Sequence, residues 1–146
     1  MPNTWHGPDM RILAQLQTLD EALGAWQRYR EIPFDRFARE QDIQYMVRHA
    51  LLLAIQAAID IATGIAVMKT PKRPDTYRET FRLLGRFSVI PEDLSTELAR
   101  LAGFRNLIVH EYTTLDQERV YRILQDDCRT LHQFRLIVRD FIRQNP

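Results

Sequence analysis

Glycine is scarce in this chain, five residues in 146, and no stretch sustains the alternation of a half-buried strand. Without turn glycines or alternation a sheet has little to build it, so the expected class is all-α. Cysteine occurs once, at Cys128, which excludes an intramolecular disulfide framework and any zinc site built on paired cysteines. An excess of charge is missing too: 20 Lys plus Arg face 19 Asp plus Glu, leaving a net charge of +1. No global field can hold a polyanion by counterion release, so contact with nucleic acid has to be local. Lysine is nearly absent, since eighteen of the twenty basic residues are Arg. That usage fits phosphate or carboxylate recognition and equally a genome's codon preference. The opening MPNTWHGPDMR carries no apolar secretory stretch, and the cytoplasm is the expected location.

The run from Leu51 to Met68 raises the question of a membrane span, but Gln56, Asp60 and Thr63 interrupt it. An Asp at a bilayer centre is costly, which makes a buried helix the better reading and no membrane the expectation. Familiar catalytic signatures are also lacking. There is no Walker loop, no GxGxxG and no GxSxG, and none of His6, His49, His110 and His132 stands at a zinc spacing. Neither a metal site nor a cofactor is expected. Cys128 has no activating pattern beside it and reads as packing.

What the chain has is 45% hydrophobic and 27% charged residues, enough for one core, and residues 1–146 read as a single domain. Apolar positions recur every three or four residues nearly throughout. A first helix is predicted from about Asp9 to Tyr29, with Ile12, Leu16, Leu19, Leu23 and Trp26 on one stripe. A second, from about Asp35 to Met68, turns apolar all round in its later half and must be surrounded. After the connector KTPKRPD, whose Lys69, Lys72 and Arg73 suit a solvated loop or an RNA backbone, Thr76 and Glu79 fit a capping box. The short third helix carries Tyr77, Phe81 and Leu84 inward to about Phe87. Pro91 fits the start of a fourth. Asp116 can cap a fifth, with Leu115 and Val120 as a hydrophobic staple, and Val120, Leu124, Leu131, Phe134, Val138 and Phe141 carry it to about Arg143. About five helices with short connections make an up-and-down bundle, and the apolar second helix implies that a second copy covers part of it as a homodimer.

The conspicuous segment is Gly103-Phe104-Arg105-Asn106-Leu107-Ile108-Val109-His110-Glu111-Tyr112, in which polar groups gather at an otherwise apolar helix end. On an ideal helix Arg105 and Tyr112 lie about 20° apart, and Arg105 and His110 about 140° apart. Asn106 and His110 share a face, so Asn106 can orient the imidazole or a bound phosphate. For Arg105 and His110 to meet one substrate, the helix must widen or end between them, or each must face a cleft made with another subunit, the favoured case. These side chains permit metal-free RNA cleavage: His110 moves a proton, Arg105 offers its planar fork to the phosphate, and the 2′-hydroxyl is the internal nucleophile. The structural alternative makes Arg105 a cap on its helix, His110 a core histidine and Tyr112 an anchor of the last turn. Gln56, Asp60 and Thr63 form a polar stripe, read as a clamp beneath the site or as a direct aid to substrate placement.

GFRNLIVHEY resembles the signature of the HEPN superfamily, and its Arg, four residues, His, one residue, Tyr arrangement looks like the HepT toxin branch in particular. The likeness extends from about Gln41 to about Phe141 and takes in AIQAAIDIATGI as the family's central helix. The resemblance implies a homodimeric HEPN-like bundle in which Arg105 and His110 are the catalytic pair of a metal-independent endoribonuclease toxin. Asn106 would match the polar residue that often follows the family's Arg. It further implies a type VII-like toxin–antitoxin pair, in which an MntA-like nucleotidyltransferase antitoxin silences the toxin by transferring AMP to Tyr112. Such a modification would set an anion on the side of Arg105 and compete with RNA phosphate. Gln56 departs from the pattern, standing where relatives often carry Glu. Two other readings compete: a non-catalytic interaction module that binds a nucleotidyltransferase or presents its substrate, and a purely structural helical oligomer.

Overall fold

The computed structural model describes residues 7–144, apart from the side chains of residues 7–9 and of Tyr112; His6 lies outside the described residues. Seven α-helices make up this part: α1 (Gly7–Tyr29), α2 (Phe34–Arg39), α3 (Gln41–Lys69), α4 (Tyr77–Arg86), α5 (Glu92–His110), α6 (Gln117–Asp126) and α7 (Cys128–Gln144), with a 3₁₀ turn at Tyr112–Thr114. The all-α expectation holds. The helix count of about five does not, because two of the expected helices are each broken by one residue.

Glu40 interrupts the first of these at φ −107°, ψ 106°. No proline or glycine marks the place. The corner is held instead by the Gln44 side-chain amide, which donates to the Phe37 carbonyl at 2.9 Å and to the Ala38 carbonyl at 3.2 Å, so the end of α2 is capped from the next helix. The turn sends Phe37 into the core, where it packs against Tyr121 with ring centroids 5.3 Å apart. Asp127 interrupts the second at φ −101°, ψ 1°. Its buried carboxylate accepts from Arg100 Nη2 at 2.8 Å, a bond between α5 and the α6–α7 corner. Burial alone would lower the Arg100 pKa, but the hydrogen bonds to Asp127 and Glu97 outweigh it and hold it above its ordinary value.

At the centre lies α3, which packs against every other α-helix. It is long and apolar enough to cross a bilayer, yet most of its apolar window is covered by the rest of the bundle. Ala50, Ala54, Ala58, Ala62 and Ala66 keep its surface low, so neighbouring helices come close. The stripe of α1 arrives as expected: Ile12, Leu19, Leu23 and Trp26 are buried and Leu16 packs against them. Trp26 Nε1 donates to the Leu124 carbonyl at 2.7 Å, fixing α1 to α6. Phe81 and Phe134 are both core, edge to face at 5.8 Å. Tyr77 is not, as its exposure of 36% shows.

Both predicted caps form. Thr76 accepts from the Glu79 amide at 3.0 Å and Asp116 from the Glu118 amide at 3.0 Å. The α4–α5 turn has a Schellman pattern: the Ser88 amide donates to the Gly85 carbonyl at 3.1 Å and the Val89 amide to the Leu84 carbonyl at 2.9 Å, with Ser88 left-handed at φ 58°. Just inside it, an ideal Cβ on Gly85 would lie 2.8 Å from Ser95 Oγ and 2.9 Å from Ser95 Cβ. Those two observations predict opposite signs in urea denaturation. Ser88→Gly relieves a left-handed penalty and should stabilise by about 0.5–1 kcal/mol. Gly85→Ala must push α4 off α5 and should destabilise by about 1–3 kcal/mol.

Candidate functional site

Arg105 sits one turn before the end of α5, with its side chain directed at the middle of α3. Its Nε donates to Gln56 Oε1 at 2.7 Å, and Nη1 donates to Asn106 Oδ1 at 3.1 Å. Gln56 is itself held, because its Nε2 donates to Asp60 Oδ1 at 2.9 Å across one helical turn of α3. The chain Asp60, Gln56, Arg105 thus points one guanidinium and fixes the orientation of the amide behind it. Tyr77, the first residue of α4 after its Thr76 cap, lays its ring 5.1 Å from the Arg105 guanidinium carbon. Among the described residues no carboxylate pairs with Arg105 directly. Its charge is oriented but not cancelled, which suits an anionic ligand.

His110 is the last residue of α5 and is exposed. The helix is unbroken from Glu92 to His110, so it neither widens nor ends between Arg105 and His110. On such a helix the two side chains leave in directions about 140° apart. The two structural alternatives for them therefore fall away: Arg105 bonds Gln56 and Asn106 instead of the final carbonyls, and His110 is not in the core. Asn106 turns to Arg105 instead of to the imidazole.

Beyond His110, Glu111 leaves the helix at φ −134°, ψ 36°, and Tyr112 opens the 3₁₀ turn. The alignment of Tyr112 with Arg105 expected from a continuous helix therefore does not apply, because the helix stops two residues short of it. The Tyr112 side chain lies outside the described residues.

The polar stripe on α3 divides. Gln56 and Asp60 form the clamp, whereas Thr63 gives its hydroxyl to the Ile59 carbonyl of its own helix at 2.8 Å. Asp60 finds its partner in the Gln56 amide and, among the described residues, reaches arginine through it. Tyr77 is the participant that sequence reasoning placed elsewhere. Its spacing from Phe81 and Leu84 looks like a core stripe, but the ring lies at the surface against the Arg105 guanidinium. A cleft of about 420 Å³ opens beside it, lined among others by Arg11, Asp60, Thr63, Arg73 and Tyr77. Cys128 is buried, and that burial raises its thiol pKa, so it stays protonated and inert.

Removing the amide that holds Arg105 leaves a half-buried guanidinium without its best acceptor. Gln56→Ala should cost about 1 kcal/mol in urea denaturation. Asp60→Ala, one step further back, should cost less. In both variants the Arg105 Nε proton should exchange faster with solvent by NMR; an unchanged exchange rate in Gln56→Ala would show that the clamp does not hold in solution.

The chain resembles known proteins over nearly its whole length. The ribonuclease HepT-like family matches residues 19–136. A tRNA nuclease HepT from Aphanizomenon flos-aquae is 28% identical over 128 residues, 88% of this chain and 85% of its own. An mRNA nuclease HepT from Shewanella oneidensis is 30% identical over 99 residues, 68% of this chain and 74% of its own. A solved toxin–antitoxin complex with AMP-PNP contains a chain that superposes with a TM-score of 0.81 at 25% identity, covering 88% of this chain and 97% of that one. The fold is also that of a tri-AMPylated Shewanella oneidensis HEPN toxin solved with its MNT antitoxin, with a TM-score of 0.81 at 24% identity, covering 93% of this chain and 99% of that one. These matches place the chain in the ribonuclease HepT-like family, a family of RNA-cleaving enzymes.

Proposed function

We propose that this protein is the endoribonuclease toxin of a toxin–antitoxin pair, and that it cuts RNA without a metal ion in a cleft shared by two copies of the chain. The observation that carries the reading is the state of Arg105. A guanidinium aimed by a neutral amide, stacked on Tyr77 and left without a carboxylate is prepared for a phosphate. The unbroken α5 carries the second half of the argument, since it sends His110 away from Arg105 and leaves a second copy as the means of completing the site.

The surface around the clamp supports such pairing. At 100° per residue, Tyr45, Met46, His49, Leu53, Gln56, Asp60 and Val67 of α3 fall within about 100° of one another. Of these, Tyr45, Met46, Leu53 and Val67 are exposed apolar side chains. An apolar stripe that runs through the clamp and stays open in the single chain is suited to a second copy.

In this cleft one His110 accepts the proton of the 2′-hydroxyl as that oxygen attacks the adjacent phosphorus. The second His110, or water, donates a proton to the departing 5′-oxygen as the phosphorus–oxygen bond breaks. The products are a 2′,3′-cyclic phosphate and a free 5′-hydroxyl. Arg105 stabilises the added charge on the phosphoryl oxygens, and Asn106 keeps its Nη1 arm in place.

For control, we infer a nucleotidyltransferase partner that transfers AMP from ATP to the Tyr112 hydroxyl, releasing pyrophosphate. Tyr112 lies two residues beyond His110 in chain order, in the turn that leaves α5. An added phosphodiester there supplies a tethered anion near the site.

His110→Ala should abolish RNA cleavage measured in EDTA and relieve growth inhibition, while light scattering still reports the dimer. Retained cleavage would sink the assignment. Tyr112→Phe should remain toxic and show no gain in intact mass after incubation with the partner and ATP, whereas the unaltered chain gains adenylate. Equal mass gain in both proteins would place the modification elsewhere.

A further inference from the structure

Arg105 is not the only guanidinium left without a counter-charge. α4 runs antiparallel to α5, with Arg78 set against Gly103 at one end and Gly85 against Ser95 at the other. Arg78 and Arg82, one helical turn apart, therefore lie along one flank of α4. From α6 comes Arg119, whose guanidinium carbon sits 5.3 Å from the Phe104 ring centroid and which lines the same groove. Between them Thr96, Ala99 and Arg100 of α5 floor a groove of about 350 Å³. Arg100 is neutralised by Glu97 and Asp127. Arg78, Arg82 and Arg119 have no ion pair among the described residues.

Two details give this groove a direction. Thr96, Gly103 and His110 recur every seven residues on α5, a step that drifts by only about 20° around a straight helix. The groove floor and His110 are thus one stripe, about 21 Å long from Thr96 to His110 at the standard rise. Gly103 in the middle of that stripe is also needed as glycine: an ideal Cβ there would lie 2.8 Å from Arg78 Cζ and Nε. Only the missing side chain lets the Arg78 fork lie against α5.

We propose that this groove is a binding site for the sugar–phosphate backbone of single-stranded RNA, holding phosphates on the His110 side of the bond to be cut. The assignment of that bond rests on the ribonuclease reading above; the binding itself does not. A chain with a net charge of +1 must hold a polyanion by local clusters, and three uncompensated arginine forks around one groove are such a cluster. The lining offers Ala99 as its one apolar residue and no aromatic anchor facing the space, a poor base for a protein–protein hot spot. Contacts of this kind read no sequence, so the groove adds affinity and register without base preference.

The test uses the full chain carrying His110→Ala, so that RNA stays intact, and a fluorescent single-stranded RNA titrated by anisotropy over a range of salt. Arg78→Ala, Arg82→Ala and Arg119→Ala combined should weaken binding about tenfold or more at low salt. The slope of log affinity against log salt should fall by about 2, from roughly 0.7 per lost phosphate contact. Replacing the same three by Lys keeps the charges and should restore most of the slope, which guards against a folding defect. Gly103→Ala, which displaces Arg78 without removing a charge, should weaken binding several-fold. Unchanged affinity and slope in the alanine triple would overturn the proposal, as would loss of binding to the nucleotidyltransferase partner with RNA binding intact, which would make the groove a protein site. If the unmutated chain binds RNA with this slope but never cuts it, the groove stands and the ribonuclease reading falls.

Discussion

The hydrogen bond from Arg105 to Gln56 is the constraint around which the candidate site is arranged. A carboxylate in place of that amide would hold the guanidinium more tightly, since charge-assisted bonds are roughly twice as strong as neutral ones. It would also satisfy the charge. An amide orients the fork and leaves its field for something else, while Asp60 acts one step away by fixing which end of the amide faces the arginine. This places the departure at Gln56 in a new light: the position still supports Arg105, through geometry in place of opposite charge.

The bond can be made because α3 is where it is. α3 is a 29-residue helix in contact with all the other α-helices, and Gln56 stands near its midpoint. α5 is then set against it through α4, whose Gly85 allows contact with Ser95 and whose first turn straddles α5. Tyr77 falls on the Arg105 side of that helix and Arg78 on the Gly103 side. Two adjacent residues thus border two separate arginine clusters, one around Arg105 and one in the groove between α4 and α5.

Much of this was legible from residue patterns. The all-α class, the buried stripes of Ile12 to Trp26 and Val120 to Val138, and the caps at Thr76 and Asp116 follow from periodicity and local chemistry. The breaks at Glu40 and Asp127 were not, because neither is marked by proline or glycine. One depends on Gln44 reaching back to α2 and the other on Arg100 reaching across from α5, and such partners are brought together only by the finished fold. Within the site, Arg105, Asn106 and the α3 clamp could be named from spacing. Tyr77 could not, since its ring is drawn to Arg105 of another helix, a partner that only the finished fold supplies. The turn at Glu111, which ends the helix before Tyr112, was equally hidden in an otherwise helical pattern.

The proposed two-chain site, to which the uninterrupted course of α5 leads, bears on dosage. Where a working centre needs contributions from two chains, its abundance rises with the square of protein concentration while the chains are dilute, and only linearly once they are mostly paired. Newly made protein would then be close to harmless at a few molecules per cell and become damaging over a narrow range of expression. A stoichiometric or catalytic restraint would have to act only before that range is crossed.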